Sequence, residues 1–259
     1  SVGECGACTV IMDGKSVCSC LLLAAQCNGA EVTTVEALHH DPVGKKLQNA
    51  FIRHGGVQCG FCTPGVLMSA KALLDTNPNP SDDELKEALE GNICRCTGYK
   101  PLVDAVMDAA ALMRGDKTLD DVTFKMPADG RIWGSTMPRP SAVAKVTGTA
   151  EFGADAAHRL PANTLHLAIA QAKVSHANIK GIDTSEAEKM PGVYKVLTHK
   201  DVKGRNRITG LITFPTNKGD GWDRPILCDE KVFQFGDAIA IVAADTVEQA
   251  KAAAAAVQV

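Results

Sequence analysis

Cys59-Gly60-Phe61-Cys62-Thr63-Pro64, read with its counterpart Cys94-Arg95-Cys96, decides how this chain folds. A Cys-x-x-Cys on one tight turn offers two sulfurs to one metal centre. The second pair follows 31 residues after the first, and each pair stands just ahead of a helix signal, Pro64 and Pro101. A centre held by four thiolates is anionic, and the free N–H groups and positive dipole end of a helix stabilise it there. Structural zinc also takes four cysteines in pairs, so spacing alone leaves zinc and iron–sulfur both open. The Thr-Pro-Gly and Thr-Gly-Tyr-Lys-Pro flanks tilt the reading toward iron–sulfur.

Outward from these pairs, Cys5-Gly6-Ala7-Cys8 and Cys20 repeat the theme with one ligand too few. Gly3 and Gly6 let the loop fold back and aim N–H groups at an anionic centre. Plant-type ferredoxins use C-x4-C-x2-C and a distant cysteine. On that spacing the first cysteine falls one residue before Ser1, so the preceding residue is expected to be cysteine. Cys18 is the competing fourth ligand. It is disfavoured because Ser16–Cys20 reads as a strand, with Cys18 and Cys20 on one side of it. Two centres in one chain suggest an electron wire.

The remaining cysteines do not build a disulfide scaffold. Nine of ten lie in the first 96 residues, mostly as CxxC or CxC, which fits a reducing compartment. Cys27 and Cys228 read as packing residues. A net charge of −3 argues against nucleic acid or an anionic membrane as partner. No apolar run approaches a membrane span. His39, His40 and His54 flank helix ends and form no helical metal pair. No carboxylate pair stands out as acid and base, and no phosphate-gripping glycine loop is present. The visible residues contain wiring without an engine.

Thr9–Met12, an Asp13-Gly14 turn, Ser16–Cys20 and Val32–Val35 read as short strands. Helices are predicted from Asp41-Pro42 to Gly55, from Thr63 as cap to about Asp75, from the Ser81–Glu84 capping box to Gly91, and from Pro101 to Gly115. Residues 116–140 are polar, then rich in Pro, Gly and Met, and read as a linker. Beyond it the texture is mixed α/β. Strands are expected at Thr164–Ala170, Val193–Leu197 and Ala238–Ala244. Helices are expected at Thr184–Met190 and from Asp245-Thr246 to about Val257.

These motifs carry a resemblance. Glu4-Cys5-Gly6-Ala7-Cys8-Thr9-Val10, Ser19-Cys20-Leu21 and Val32-Thr33-Thr34-Val35-Glu36 are similar to the plant-ferredoxin-like domain of molybdenum hydroxylases, the xanthine oxidase family. Gln58–Gly65 and Cys94–Tyr99 resemble the helical [2Fe–2S] domain that follows it. Ala144–Phe152, Ser175–Ile179, Ile182–Ala187, Met190–Val193 and Gly236–Thr246 resemble the opening of its molybdenum-binding part. Only the linker stands where many members carry a flavin domain. With Phe124–Gly134 and Asn206–Glu230, including Trp222-Asp223-Arg224-Pro225, this resembles the flavin-free, aldehyde-oxidising branch.

The resemblance implies an α+β multidomain fold. A plant-ferredoxin-like β-grasp [2Fe–2S] domain, N-terminally truncated, takes residues 1–40. A four-helix [2Fe–2S] domain takes 41–115 and the linker 116–140. An α/β first module of the molybdenum-binding domain, hammerhead-like and truncated, takes 141–259. It implies that Cys59, Cys62, Cys94 and Cys96 hold the inner cluster. Cys5, Cys8, Cys20 and an upstream cysteine would hold the outer one. Gln58 and Cys96 would touch the pterin; for Gln58 the plainer alternative is a helix-end amide bonded to backbone. The implied cofactors are two [2Fe–2S] clusters and molybdopterin cytosine dinucleotide, without FAD. The implied reaction converts an aldehyde and water to a carboxylic acid. Electrons leave through both clusters to an external acceptor such as flavodoxin or ferredoxin. A homodimer in the cytoplasm is expected. The catalytic base is expected beyond Val259, so no catalytic residue is assigned here. Alternatives are a flavin-free hydroxylase of an N-heterocycle, a non-enzymatic two-cluster carrier and a zinc-stabilised interaction protein.

Overall fold

The computed structural model describes residues 2–118, 124–208 and 224–259. Trp222 and Asp223 lie outside them. The chain divides into two compact units, Ser1–Ala154 and Asp155–Val259.

The first unit opens with strands β1 (Thr9–Met12) and β2 (Lys15–Cys18), paired antiparallel with Thr9 opposite Cys18. Asp13 and Gly14 both take positive φ, 50° and 79°, which a tight hairpin turn of this hand requires. Strand β3 (Val32–Thr33) pairs with β1 on its other side. Two expectations are corrected here. The return strand ends at Cys18, and Cys20 lies in a 3₁₀ turn, Ser19–Leu21. Cys18 and Cys20 therefore do not share a strand face. The third strand stops at Thr33, and a 3₁₀ turn spans Val35–His40.

Four helices follow. In α1 (Pro42–Arg53) Asp41 caps the start, its Oδ1 accepting from the Gly44 N–H at 2.7 Å. Helix α2 (Thr63–Thr76) has Cys62, not Thr63, as its cap residue. In α3 (Asp82–Leu89) the Ser81/Glu84 capping box is complete, with Ser81 N–H to Glu84 Oε2 at 2.7 Å and Glu84 N–H to Ser81 Oγ at 3.3 Å. Helix α4 (Lys100–Arg114) ends at Gly115 in the left-handed conformation. Phe51, Leu47, Leu67, Met68, Leu85 and Leu102 are fully buried between them. Helix α2 is apolar on most of its faces because it is the central one: Val66, Leu67, Met68, Ala70 and Leu74 are all buried.

The linker's described residues, 116–118 and 124–140, form no helix or strand. A short helix α5 (Ala142–Val146) buries Ala142 and Val146 in the same core, and Gln48 Nε2 donates to Val146 O at 2.9 Å. The stretch 141–154, expected to open the molybdenum-binding part, thus packs within the first unit.

In the second unit β8 (Ala238–Ala244) lies between β4 (His166–Gln171) and β6 (Val193–Leu197), antiparallel to both. Helices α6 (Ser185–Lys189) and α7 (Val247–Ala256) pack on this sheet over a core of small residues, Ala170, Ala187, Ala240, Ala253, Val196 and Val242. Thr246 caps α7, accepting from Gln249 N–H at 3.2 Å. A second pairing joins β5 (Ala177–Asn178) to β7 (Lys231–Val232). Cys228 is buried beside Val232 and Ile239, as a packing cysteine should be, whereas Cys27 is exposed. No helix among the described residues is long and apolar enough to cross a membrane.

Candidate metal centres

Two loops that end at helix starts build the inner set. Cys62 closes the first, directly at the N-terminus of α2; Cys94 and Cys96 lie on the second, which enters α4 through Tyr99. Cys62 and Cys94 are buried, and Cys59 and Cys96 are exposed, so the set opens to one side. The thiols meet two and two: Cys59 faces Cys96, and Cys62 faces Cys94. Among the described residues no three His, Cys, Asp or Glu side chains close round one metal ion. A centre of two metal atoms takes one thiol pair on each, so this donor set fits a [2Fe–2S] cluster.

The thiols are electrostatically unequal. The Phe61 N–H, then the Cys96 thiol, and further off the Lys145 charge pull Cys59 below its ordinary value. Burial pushes Cys62 up to about 12, helped by the neighbouring Cys94. Burial opposes ionisation of Cys94 too, but hydrogen bonds from the Thr97 hydroxyl, the Thr97 and Cys96 N–H groups and Cys62 outweigh it. Thr97 Oγ1 lies 3.1 Å from Cys94 Sγ.

Tyr99 braces this loop. Its hydroxyl accepts the Cys94 N–H at 2.9 Å and donates to Asn92 O at 3.2 Å. Its own N–H donates to Thr97 Oγ1 at 3.2 Å. Tyr99 holds φ at 69°, a conformation that side chains other than glycine rarely take.

The outer set is less closed. Cys8 and Cys20 come together, with Cys20 N–H donating to Cys8 Sγ at 3.5 Å. That N–H lowers the Cys8 thiol, and the Cys8 thiol in turn raises Cys20. Cys5 is exposed, and among the described residues its thiol bonds to neither. Cys18 Sγ instead points to Gly3 O at 3.9 Å.

The two sets are held against each other through backbone. Ile93 N–H donates to Cys5 O at 2.9 Å, and the buried Asn92 Nδ2 donates to Gly6 O at 3.0 Å. Gly6 has φ of +64°, and a Cβ there would collide with Gly91 O, so only glycine permits this approach. The candidate pterin contacts Cys96 and Gln58 are exposed and half-buried respectively, and the Gln58 carbonyl accepts from Lys145 Nζ at 2.6 Å. Asn92 and Lys145 carry no local sequence signal of their roles.

A helical domain that brings four thiols together two and two belongs to the class of [2Fe–2S]-binding modules. The comparisons agree. Residues 34–107 match the family described as "[2Fe-2S] binding domain", and residues 147–259 match "Aldehyde oxidase and xanthine dehydrogenase, a/b hammerhead domain". The chain is 64% identical over 260 aligned residues to the aldehyde oxidoreductase of Megalodesulfovibrio gigas, covering 99% of this chain and 29% of that protein. The crystal structure of the aldehyde oxidoreductase of Desulfovibrio desulfuricans aligns with a TM-score of 0.76 at 67% identity, over 99% of this chain and 29% of that one. The nicotinate dehydrogenase small FeS subunit of Eubacterium barkeri is 50% identical over 41% of this chain and 68% of its own length. The chain belongs to the molybdenum hydroxylase, or xanthine oxidase, family.

Proposed function

We propose that this chain is the electron-transfer portion of a molybdenum–pterin enzyme that oxidises aldehydes to carboxylic acids with water. The observation that carries the reading is the two-and-two meeting of Cys59 with Cys96 and Cys62 with Cys94, set directly against the Cys5–Cys8 loop. Cys59, Cys62, Cys94 and Cys96 hold the inner cluster; Cys5, Cys8 and Cys20 serve the outer one. Gln58 and Cys96 present the inner loops to the pterin. The molybdenum–pterin group, when bound, supplies the two-electron oxidation of the aldehyde, with water as oxygen source. The chain's residues do the rest. Helix starts and loop N–H groups favour the added negative charge of a reduced cluster. The Asn92 and Ile93 bonds fix the outer loop beside the inner one, a short path for single electrons.

An aldehyde is preferred over an N-heterocycle because the aldehyde oxidoreductase of M. gigas aligns along 99% of this chain, hammerhead and linker included. The nicotinate dehydrogenase subunit aligns over 41%. The reading extends to molybdopterin cytosine dinucleotide, no flavin, flavodoxin or ferredoxin as acceptor, a homodimer and a cytoplasmic setting, all on the family resemblance. The test is reduction of the iron-loaded protein under electron paramagnetic resonance, with aldehyde oxidation by the whole protein through an artificial acceptor. Two distinct [2Fe–2S] spectra and acid formation are expected. Bound zinc with no visible absorption sinks the reading.

A further inference from the structure

Lys145 lies on α5, far in sequence from the cysteines, yet it reaches into the inner loop. Its Nζ donates to Gln58 O at 2.6 Å and to Ser141 Oγ at 3.1 Å. Its stem lies across Gly60: a Cβ there would stand 2.6 Å from Lys145 Cδ, and Gly60 holds φ of +90°. Glycine at that position therefore serves the lysine as well as the turn. The helix that carries it is anchored by buried Ala142 and Val146 and by the Gln48 bond to Val146 O. Farther along, Phe152 meets the exposed Phe61 ring edge-on, centroids 6.5 Å apart. The segment is a strap over Cys-Gly-Phe-Cys that delivers one cation.

We propose that Lys145 is a positioning and tuning residue: its fixed charge raises the reduction potential of the cluster held by Cys59, Cys62, Cys94 and Cys96, leaving the outer cluster unaffected. This rests on the electron-transfer reading above. A reduced cluster carries one more negative charge than an oxidised one, so a cation held beside its loop favours reduction. At an effective dielectric constant of about 20, a unit charge several ångströms off shifts such an equilibrium by roughly tenfold or more.

The experiment is a redox titration of the iron-loaded protein, following each cluster by its own electron paramagnetic resonance signal, in the unsubstituted chain and in K145Q, K145M and K145R. Glutamine keeps an N–H donor for Gln58 O while removing the charge, so it preserves the strap should methionine unfold it. The inner cluster of K145Q and K145M is expected to lose about tenfold in its reduction equilibrium, or ~59 mV for one electron. K145R is expected to restore it, and the outer cluster to stay unchanged. An inner potential that does not move in K145Q, or that moves together with the outer one, overturns the inference and leaves the function standing. Absence of any reducible cluster signal in the unsubstituted protein overturns both.

Discussion

The inner and outer cysteine loops share a chemistry and differ in how they are held. The inner thiols stand at the starts of two helices whose far sides are packed into one core; Tyr99 and Lys145 bond to the loop backbone, and Thr97 meets the Cys94 thiol and accepts the Tyr99 N–H. The outer loop hangs on a short three-stranded sheet and borrows its rigidity from Asn92 and Ile93 of the inner loop. The inner set thus comes preassembled as two thiol pairs, whereas the outer brings only Cys8 and Cys20 together. A metal site whose ligands are already positioned spends less binding energy on ordering the chain.

The largest expected effect tests that contrast directly. Cys62→Ser should remove the inner cluster and its spectrum, leaving the outer spectrum, with iron falling by about half on the usual two irons per cluster. Cys8→Ser should do the reverse, and circular dichroism should show the helices intact. Loss of both clusters from Cys8→Ser would show that the inner site depends on the outer, breaking the comparison.

Next in size is the buried charge cluster that ties α1 to α4. Asp108 on α4 is almost fully buried, and Arg53, His54 and Lys117 all engage its carboxylate, His54 Nε2 at 3.0 Å. Burial alone would raise its pKa, but the bonds from Lys117 and His54 and the charge of Arg53 carry it below the ordinary value. The stabilisation is therefore full above the unfolded value of about 3.9 and is lost as pH falls through the depressed folded one. Asp108→Asn should cost about 3–5 kcal/mol, since it leaves three cationic or polar partners around a neutral amide. Denaturant melts at pH 7 should show this loss, and a melt at pH 2.5 should show a smaller difference between the two proteins.

Much of this was legible in the residues. Each of the four helix starts in the cluster domain was marked by Pro, Asp, Ser or Thr, because a helix's first turn has only local means to satisfy its N–H groups. The cysteine pairs announced the inner site through spacing. The sequence misled where local preference met competing geometry. The β-prone run from Val32 stops at Thr33 because Val35 already begins the 3₁₀ turn that leads into α1, and Ser19-Cys20 turns off its strand to bring Cys20 to Cys8. Asp108 was invisible because Arg53 and His54, at the end of α1, lie more than fifty residues before it and Lys117 lies past the end of its own helix, and Lys145 because its target is a backbone carbonyl 87 residues away.

Tyr99→Phe should come third. The phenol hydroxyl is the acceptor for Cys94 N–H, and Phe leaves that donor half-buried without it, at a cost of about 1–3 kcal/mol. The inner cluster spectrum should broaden or shift while the outer one holds.

Asn92→Ala should have the smallest effect on stability and the sharpest effect on the comparison. Gly6 O loses one donor, but it still accepts from Thr9 Oγ1 at 2.7 Å and Thr9 N–H at 3.1 Å, so no acceptor is orphaned. The cost is then a net hydrogen bond with some lost packing, about 1 kcal/mol. Its consequence is local, because the Asn92 side chain makes one of the two hydrogen bonds, among the described residues, through which the inner loop holds the outer. Amide hydrogen exchange at Cys5 to Cys8 should quicken, with no change at Cys59 to Cys62. Equal quickening in both loops would mean that they open as one unit, and the outer loop would then be no less intrinsically ordered than the inner.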